Sequence, residues 1–310
     1  MAKYILKRFL GMIPTLFIIV TVSFFIMRVA PGGPFDGERN LPEAIRANIE
    51  AKYHLDEPVY QQYFRYVGDV MRGDLGPSYR YKDHDVSFYI FTSLPNSLIL
   101  GAVALALALV LGILIGIFSA LYQNKWPDYL GMSFAVIGIS VPTFVVGPLL
   151  MYFLAMKLQL LPTSGWFTDR KLGLETLIMP AITLGFPYLA NIARLTRASV
   201  LEVLRSDFVR TARAKGLNEA IVVIKHVMKG ALLPVVSYLG PAFAAIITGS
   251  VVVETIFRVP GLGKFFVQSS LNRDYTLILG VVIVYSTILI VMNFIVDIVY
   301  SLLDPRVSYK

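Results

Sequence analysis

Six long runs without a charged residue constrain this 310-residue chain more than any other feature of its sequence. Each run has at least 18 residues. A helix of about 20 apolar residues crosses the roughly 30 Å hydrocarbon core of a bilayer. The runs are 9–27, 86–124, 129–156, 176–193, 230–253 and 275–296. The sequence therefore predicts an all-α integral membrane protein with six transmembrane helices.

The polar segments between these runs set the expected organisation of one domain, 1–310. The expected spans are 9–28, 96–122, 130–156, 177–204, 233–254 and 276–300. A polar segment, 31–85, follows the first span, and its apolar spacing predicts helices over 41–53 and 60–71. This segment is too small to bury a core of its own, so we expect it to pack on the membrane part or on an external partner.

Positive charge sets the expected orientation. Lys3, Lys7 and Arg8 precede the first run, which predicts an uncleaved anchor with a cytoplasmic N-terminus. Counting crossings then places 31–85 outside, the connection 205–229 inside and the C-terminus in the cytoplasm. Arg28 ends the first run on the outer side, where we interpret it as a span-end anchor that reaches the lipid headgroups rather than as a substrate contact.

Charge and residue usage exclude several classes of function. The net charge of +8 lies mostly in short segments that flank the spans, so the expected partner is membrane lipid and not nucleic acid. The chain has no cysteine and three dispersed histidines, so no metal site is expected. The sequence from Gly261 to Phe265 lacks the spacing of a phosphate-binding loop. We expect a non-catalytic chain without a cofactor, which takes energy for uphill transport from another chain.

Prolines and glycines interrupt the third, fourth and fifth runs. Proline removes a backbone hydrogen bond and kinks a helix, which suits spans that line a pathway, although plain packing is the alternative. Gly112 and Gly116 form a G-x-x-x-G pattern that is typical of close helix interfaces. The hinge candidates are Pro142, Pro148, Pro187, Pro241 and Gly249.

The connection 205–229 is both basic and amphipathic. Eight Lys/Arg stand against three Asp/Glu between Arg194 and Lys229. A short helix is expected from Asp207 to Lys215, with Ser206 or Asp207 as N-cap and Gly216 as the stop. A second helix is expected over 219–228. We interpret the first helix, with Phe208 and Ala212 on one side, as a docking element for a soluble partner; contact with anionic lipid is the alternative.

This connection resembles the E-A-A-x3-G-x9-I-x-L-P loop of permease subunits of bacterial ABC importers. Ala212 and Gly216 match, whereas Arg210, Thr211 and the residues His226, Met228 and Lys229 depart from the general pattern. The departures resemble the peptide branch of the family, which has R-T-A-R-A-K-G-L and H-x-x-x-x-A-L-L-P-V. Both motifs are present here, over 210–217 and 226–235.

Further motifs extend the resemblance along nearly the whole chain. They are A-P-G-x-P at Ala30, G-D-L-G-P-S at Gly73, V-V-V-E-T-I-F at Val251, P-G-L-G at Pro260, R-D-Y at Arg273 and D-P-R at Asp304. The runs E-R-N-L-P-E and I-E-A-K-Y-H-L favour the B-type membrane subunit of oligopeptide importers over dipeptide and nickel relatives. Murein peptide, glutathione, dipeptide and nickel remain alternative substrates; an ATP-independent channel, a secondary transporter and a membrane enzyme are more distant alternatives.

The resemblance implies a type I ABC importer permease fold in the bacterial inner membrane. It implies a second, similar permease subunit, two cytoplasmic ATPases that hold ATP and Mg²⁺, an external binding protein and a peptide substrate. The loop 254–274 joins 31–85 as an expected surface for the binding protein. The connection would hold the coupling helix against one ATPase. The residues expected to couple are Asp207, Phe208, Arg210, Thr211, Ala212, Arg213, Lys215 and Gly216.

Overall fold

The computed structural model describes residues 2–29, 33–34, 50–81, 83–167 and 173–303, and the regular elements in these ranges are helical. Most of the helix expected over 41–53 lies outside the described residues. The same is true of much of the motif at Ala30 and of all of the motif at Asp304.

The helices follow the apolar runs of the sequence. The first part of the chain holds α1 (Ala2–Val29), α2 (Val59–Met71), α3 (Val86–Leu121), α4 (Trp126–Ser140) and α5 (Thr143–Lys157). The second part holds α6 (Ile178–Leu204), α7 (Asp207–Ala214), α8 (Glu219–Ala231), α9 (Leu233–Gly249), α10 (Val251–Phe257), α11 (Gly263–Asn272) and α12 (Tyr275–Leu303). A stretch of π-helix ends α5, and another lies inside α8.

Four helices in the described ranges are long and apolar enough to cross a membrane: α1, α3, α6 with its 3₁₀ lead-in, and α12. Two bent pairs bring the number to six if each is one span. The pair α4 and α5 bends by 110°, and the pair α8 and α9 by 52°. The prediction of an all-α membrane protein is confirmed.

Two helix boundaries differ from the expected spans. Helix α3 begins at Val86, ten residues before the expected start at 96, and continues through Pro95. The fifth run forms two helices, because α9 ends at Gly249 and α10 begins at Val251. The charge-free run begins at 86, directly after Asp85, where α3 begins. Apolar composition does not register the break after Gly249, because the residues on both sides of it are free of charge.

Contacts divide the described chain into two compact units. The first consists of Ser97–Pro260 and the part of the chain that begins at Leu289; the second consists of Ala2–Asn96 and Gly261–Ile288. The first unit buries Leu100, Met179, Ile246 and Phe257, from α3, α6, α9 and α10. The second unit packs Phe24 of α1 and Tyr63 of α2 with Leu279 of α12. The single domain expected from the sequence stays a prediction.

Glycines allow α3 and α6 to approach closely within the first unit. A Cβ at Gly112 would lie 2.9 Å from the carbonyl oxygen of Leu189, and one at Gly116 would lie 2.6 Å from that of Ala193. From the other side, a Cβ at Gly185 would lie 2.6 Å from the carbonyl oxygen of Ala104. Such distances leave no room for a side chain, so the helix interface predicted from G-x-x-x-G is confirmed.

Candidate functional site

The short helix α7 begins where the sequence predicts. Ser206 is the N-cap in an extended conformation (φ −73°, ψ 152°), and its Oγ donates to the Val203 carbonyl at 2.6 Å. Asp207 lies in the first turn and Arg213 in the last, which suits the helix dipole at both ends. The helix ends at Ala214, with Lys215 as the C-cap, one residue earlier than expected.

Gly216 ends α7 through its backbone. Its φ of +76° lies in the left-handed region, which side chains disfavour because Cβ crowds the carbonyl oxygen. A Cβ built at this position meets no atom within 4 Å. The glycine is therefore required by the turn and not by lack of space.

The buried face of α7 packs on the neighbouring helices. Val209 and Ala212 are buried in a cluster with Val200 of α6 and with Val222 and Val227 of α8. The sequence interpretation grouped Phe208 with Ala212 and missed Val209, although the three-residue spacing of Val209 and Ala212 was the signal that could have identified them as the packed side. The packing holds α7 against the end of α6.

The other side of α7 is open to solvent. Phe208 is 54% exposed, and the side chains of Asp207 and Arg210 are 96% and 71% exposed. Thr211, Arg213 and Lys215 are exposed as well. The residues expected to couple therefore divide into an exposed set and two structural positions, Ala212 in the packed face and Gly216 in the turn.

The second arm, α8, is fixed to α7 by polar contacts. Arg213 pairs with Glu219 through two hydrogen bonds of 3.0 and 2.5 Å. Asn218 caps α8, because its Oδ1 accepts from the Ala220 amide at 2.9 Å. Ile221 and Ile224 of this arm remain 42% and 70% exposed, so the basic connection also presents apolar side chains. Such exposed apolar side chains are typical of surfaces that meet a partner.

Three of the five hinge candidates, Pro142, Pro148 and Gly249, lie at or near irregularities of the helices. Pro142 stands between α4 and α5, where the chain bends, and Pro148 precedes the π-helical end of α5. Pro187 and Pro241 lie inside α6 and α9. Gly249 is the last residue of α9. A Cβ at Gly249 would meet nothing within 4 Å, so packing does not require a glycine there.

Sequence reasoning missed a buried carboxylate. Glu254 of α10 is 1% exposed; its Oε1 accepts from the Ser97 hydroxyl at 2.7 Å and lies 2.6 Å from Ser250 Oγ. The sequence placed Glu254 at the start of an outer loop. Its position in the apolar run V-V-V-E-T-I-F was the available signal, because an acid between apolar neighbours must find partners when it is buried.

Within the ranges that the structure describes, no group of three or more His, Asp or Glu side chains comes together in a form that could hold a metal ion. The basic connection presents exposed charged and apolar side chains on helices that pack on the end of α6.

Comparison with known proteins places the chain among transport proteins. Residues 112–309 match a family model described as binding-protein-dependent transport system inner membrane component, and residues 1–99 match its N-terminal counterpart. The chain is 50% identical to the oligopeptide transport system permease protein OppB of Salmonella typhimurium over 100% of both chains. It is 43% identical to the dipeptide transport system permease protein DppB of Bacillus subtilis, over 99% of this chain and 98% of the relative.

The fold is shared with a chain of a solved transporter structure. The inward-facing MetNI methionine ABC transporter contains a chain that is 16% identical, with a TM-score of 0.56 over 70% of this chain and 97% of that one. Identity at this level carries information about the fold alone. The shared fold agrees with the importer permease architecture that the sequence led us to expect.

Proposed function

The chain belongs to the family of binding-protein-dependent transport system inner membrane components, and on this premise we propose that it carries oligopeptides across the inner membrane. It is a multi-pass membrane protein and a permease subunit of an ABC importer. The single observation that supports oligopeptides as the substrate class is the 50% identity to an oligopeptide permease over the full length of both chains. The 43% identity to a dipeptide permease makes dipeptides the second candidate.

The chain is expected to work inside a larger complex. A family defined by dependence on a binding protein supports an external subunit that delivers the peptide. We further propose a second permease subunit, which completes the translocation path, and two cytoplasmic ATPases. ATP and Mg²⁺ would bind to the ATPases.

The proposed contact with an ATPase is the exposed side of α7. Phe208 supplies an apolar anchor that is 54% exposed, and Arg210 supplies a cation beside it. Asp207, Thr211, Arg213 and Lys215 surround these two residues on the exposed side. Ala212 holds the helix against its packing cluster, and Gly216 sets the turn that follows. An aromatic side chain and an arginine are the residue types that contribute most at protein interfaces.

The proposed mechanism passes movement of α7 to the spans. Helix α7 packs on the end of α6 through Val209 and Val200, so a displacement of α7 displaces α6. Arg197 of α6 is paired with Asp128 of α4, which extends the coupling to the start of the bent pair α4 and α5. The breaks at Pro142 and Gly249 would localise the bending. ATP and peptide must each favour one of two states for such a device to transport.

The proposed topology places both termini and α7 in the cytoplasm. The segment 31–85 and the loop 254–274 then lie outside, where they offer surfaces to the binding protein. The basic residues before the first span and the basic connection after the fourth support this orientation.

The function is tested by isolating the native complex through an affinity tag on this chain. We expect two ATPases, a second permease and a binding protein to co-purify. In proteoliposomes that contain the complex, a labelled tetrapeptide should accumulate only with ATP and binding protein. Its accumulation should exceed that of a dipeptide and that of Ni²⁺. Accumulation without ATP, or preference for Ni²⁺, would overturn the proposal.

A further inference from the structure

A cavity of about 290 Å³, with charged and polar side chains in its wall, lies in the second compact unit beside the end of α1. Its lining includes Arg28 of α1, Tyr275 of α12 and four residues of α2, namely Gln62, Arg65, Tyr66 and Asp69. The volume is close to the lower end of small-molecule sites, which begin at roughly 300 Å³. The cavity is separate from the basic connection and is not needed for the proposed function, so it requires its own explanation.

The surroundings of Arg28 are those of an anion-binding arginine. Its guanidinium lies 5.2 Å from the ring centroid of Phe24 and 5.2 Å from that of Tyr275. Within the described part of the chain, it forms no ion pair with an Asp or Glu. The two rings and a hydrogen bond with the Tyr79 side chain fix the position of the guanidinium. Its other N–H groups can donate to a carboxylate or a phosphate. An arginine that only reaches the lipid headgroups at the end of a span does not require its guanidinium to be fixed by such contacts.

The neighbouring phenol does not neutralise Arg28. Burial raises the pKa of Tyr79 to about 12, although the positive charge of Arg28 acts in the opposite direction. Tyr79 is therefore uncharged at physiological pH, and the positive charge of Arg28 persists in the wall of the cavity.

Helix α2 presents a polar face to the same cavity. Gln62, Tyr66 and Asp69 stand four and three residues apart, so they share one side of the helix. Gln62 is 8% exposed, and its Nε2 donates to the carbonyls of Leu55 at 3.2 Å and Glu57 at 2.7 Å. Both donor bonds fix the amide orientation and leave Oε1 as a buried acceptor without a partner among the described residues.

The Tyr66 hydroxyl, also in the cavity wall, is likewise buried without a partner among the described residues. Burial raises the pKa of Tyr66, so the hydroxyl keeps its proton and can donate it to an anion. Buried donors and acceptors are nearly always paired in native proteins. An acceptor on Gln62 and a donor on Tyr66, both in the cavity wall, therefore point to a ligand with a donor and an acceptor of its own.

We propose that this cavity binds a small zwitterion. The anionic group, a carboxylate or a phosphate, would accept hydrogen bonds from Arg28 and Tyr66. The ammonium group would donate to the Oε1 of Gln62 and to the carboxylate of Asp69. A free amino acid, a dipeptide and the phosphoethanolamine headgroup of a lipid share this chemistry and fit a cavity of this volume.

Binding is measured by calorimetry on the full chain in nanodiscs of phosphatidylglycerol. The probes are Ala-Ala, N-acetyl-Ala-Ala, which lacks the ammonium, Ala-Ala amide, which lacks the carboxylate, and O-phosphoethanolamine. We expect at least one of the two zwitterions, Ala-Ala and O-phosphoethanolamine, to bind. If Ala-Ala binds, both blocked dipeptides should bind at least tenfold more weakly than it does. Arg28→Gln and Tyr66→Phe should each weaken the zwitterion at least fivefold, whereas Arg72→Gln, an exposed arginine next to α2, should not.

The two sources of ligand give different results. Binding of Ala-Ala identifies a peptide or amino acid site. A lipid headgroup site is identified by two results. O-phosphoethanolamine binds and Ala-Ala does not, and native mass spectrometry shows phosphatidylethanolamine retained by the wild-type chain but not by Arg28→Gln. Absence of binding by both zwitterions overturns the proposal, as does equal binding by the wild-type chain and the correctly folded Tyr66→Phe variant.

Discussion

Arg197 of α6 donates two hydrogen bonds to the carboxylate of Asp128 in α4, from Nε at 2.6 Å and from Nη2 at 2.7 Å. The Asp128 side chain is 4% exposed and that of Arg197 is 26% exposed. The Asn124 amide also donates to Asp128 Oδ2, at 2.9 Å. The pair is the direct polar link between the beginning of the bent pair α4 and α5 and the helix that carries α7. Both its stability and its role in coupling are testable.

Removal of one member of this pair should destabilise the protein. Arg197→Gln leaves the Asp128 carboxylate buried without its charge partner, and we expect a loss of about 2–3 kcal/mol, below the cost of breaking a fully buried pair because Arg197 is partly exposed. Thermal inactivation of the purified protein in detergent measures the loss. Arg205→Gln, which changes an exposed arginine after α6, is the matched control. A double variant with Asp128→Asn should cost less than the sum of the single changes.

Phe208 and Val209 are neighbours in the sequence, but we expect their replacement by alanine to affect different properties, ATPase retention at Phe208 and stability at Val209. Phe208→Ala changes an exposed side chain, so the protein should keep its thermal stability but lose ATPase subunits on purification, with peptide uptake reduced at least tenfold. Val209→Ala opens a void in the buried cluster and should lower stability by about 1–3 kcal/mol. Full uptake by Phe208→Ala would contradict the docking role of the exposed side of α7.

Gly216→Ala tests the turn after α7. The φ of +76° costs a residue with a Cβ about 1–2 kcal/mol, and the open space around it excludes a clash as the cause of any effect. We expect normal membrane insertion with reduced uptake and a weaker hold on the ATPases. Gly68→Ala is the control, because Gly68 lies inside α2 and a Cβ there also meets nothing within 4 Å. Normal ATPase retention and uptake by Gly216→Ala would show that the turn does not set the coupling geometry.

The absence of cysteine makes the topology directly measurable, since a single introduced thiol is then the only one. We expect Tyr60→Cys to react with a membrane-impermeant maleimide once the outer face of the inner membrane is accessible. Ala214→Cys should react only after the inner membrane is permeabilised. Both positions are exposed in the structure, so access to the reagent depends on the side of the membrane. The opposite labelling pattern would reverse the proposed orientation.

Sequence patterns predicted the helices best where charge marks their ends. Helix α6 is expected over 177–204 and observed over Ile178–Leu204; Glu175 marks its start, whereas its apolar run ends at 193 and the helix continues through Arg194 and Arg197. The start of α7 at Asp207 was predictable from local capping chemistry. The pair of Arg197 with Asp128 was not, because the two residues are 69 positions apart and meet only through packing of α4 on α6. The sequence marked Gly249 as a hinge candidate but placed it inside one span, 233–254, because no charge lies between 230 and 253.

The last prediction concerns Glu254, a buried acid at the helix break between α9 and α10. Charge patterns failed to locate this break. Its Oε1 contacts Ser97 of α3 and Ser250 at the junction of α9 and α10, so one carboxylate connects α3 with the break. Glu254→Ala removes that acceptor and leaves a void, and we expect a loss of about 2–3 kcal/mol of stability together with loss of uptake. Glu254→Gln keeps an acceptor oxygen at nearly the same position and should retain most of the stability. Glu202→Gln, an exposed acid on α6, controls for the change of charge. Equal stability of Glu254→Ala and the wild-type protein in thermal inactivation would show that the carboxylate does not hold the break.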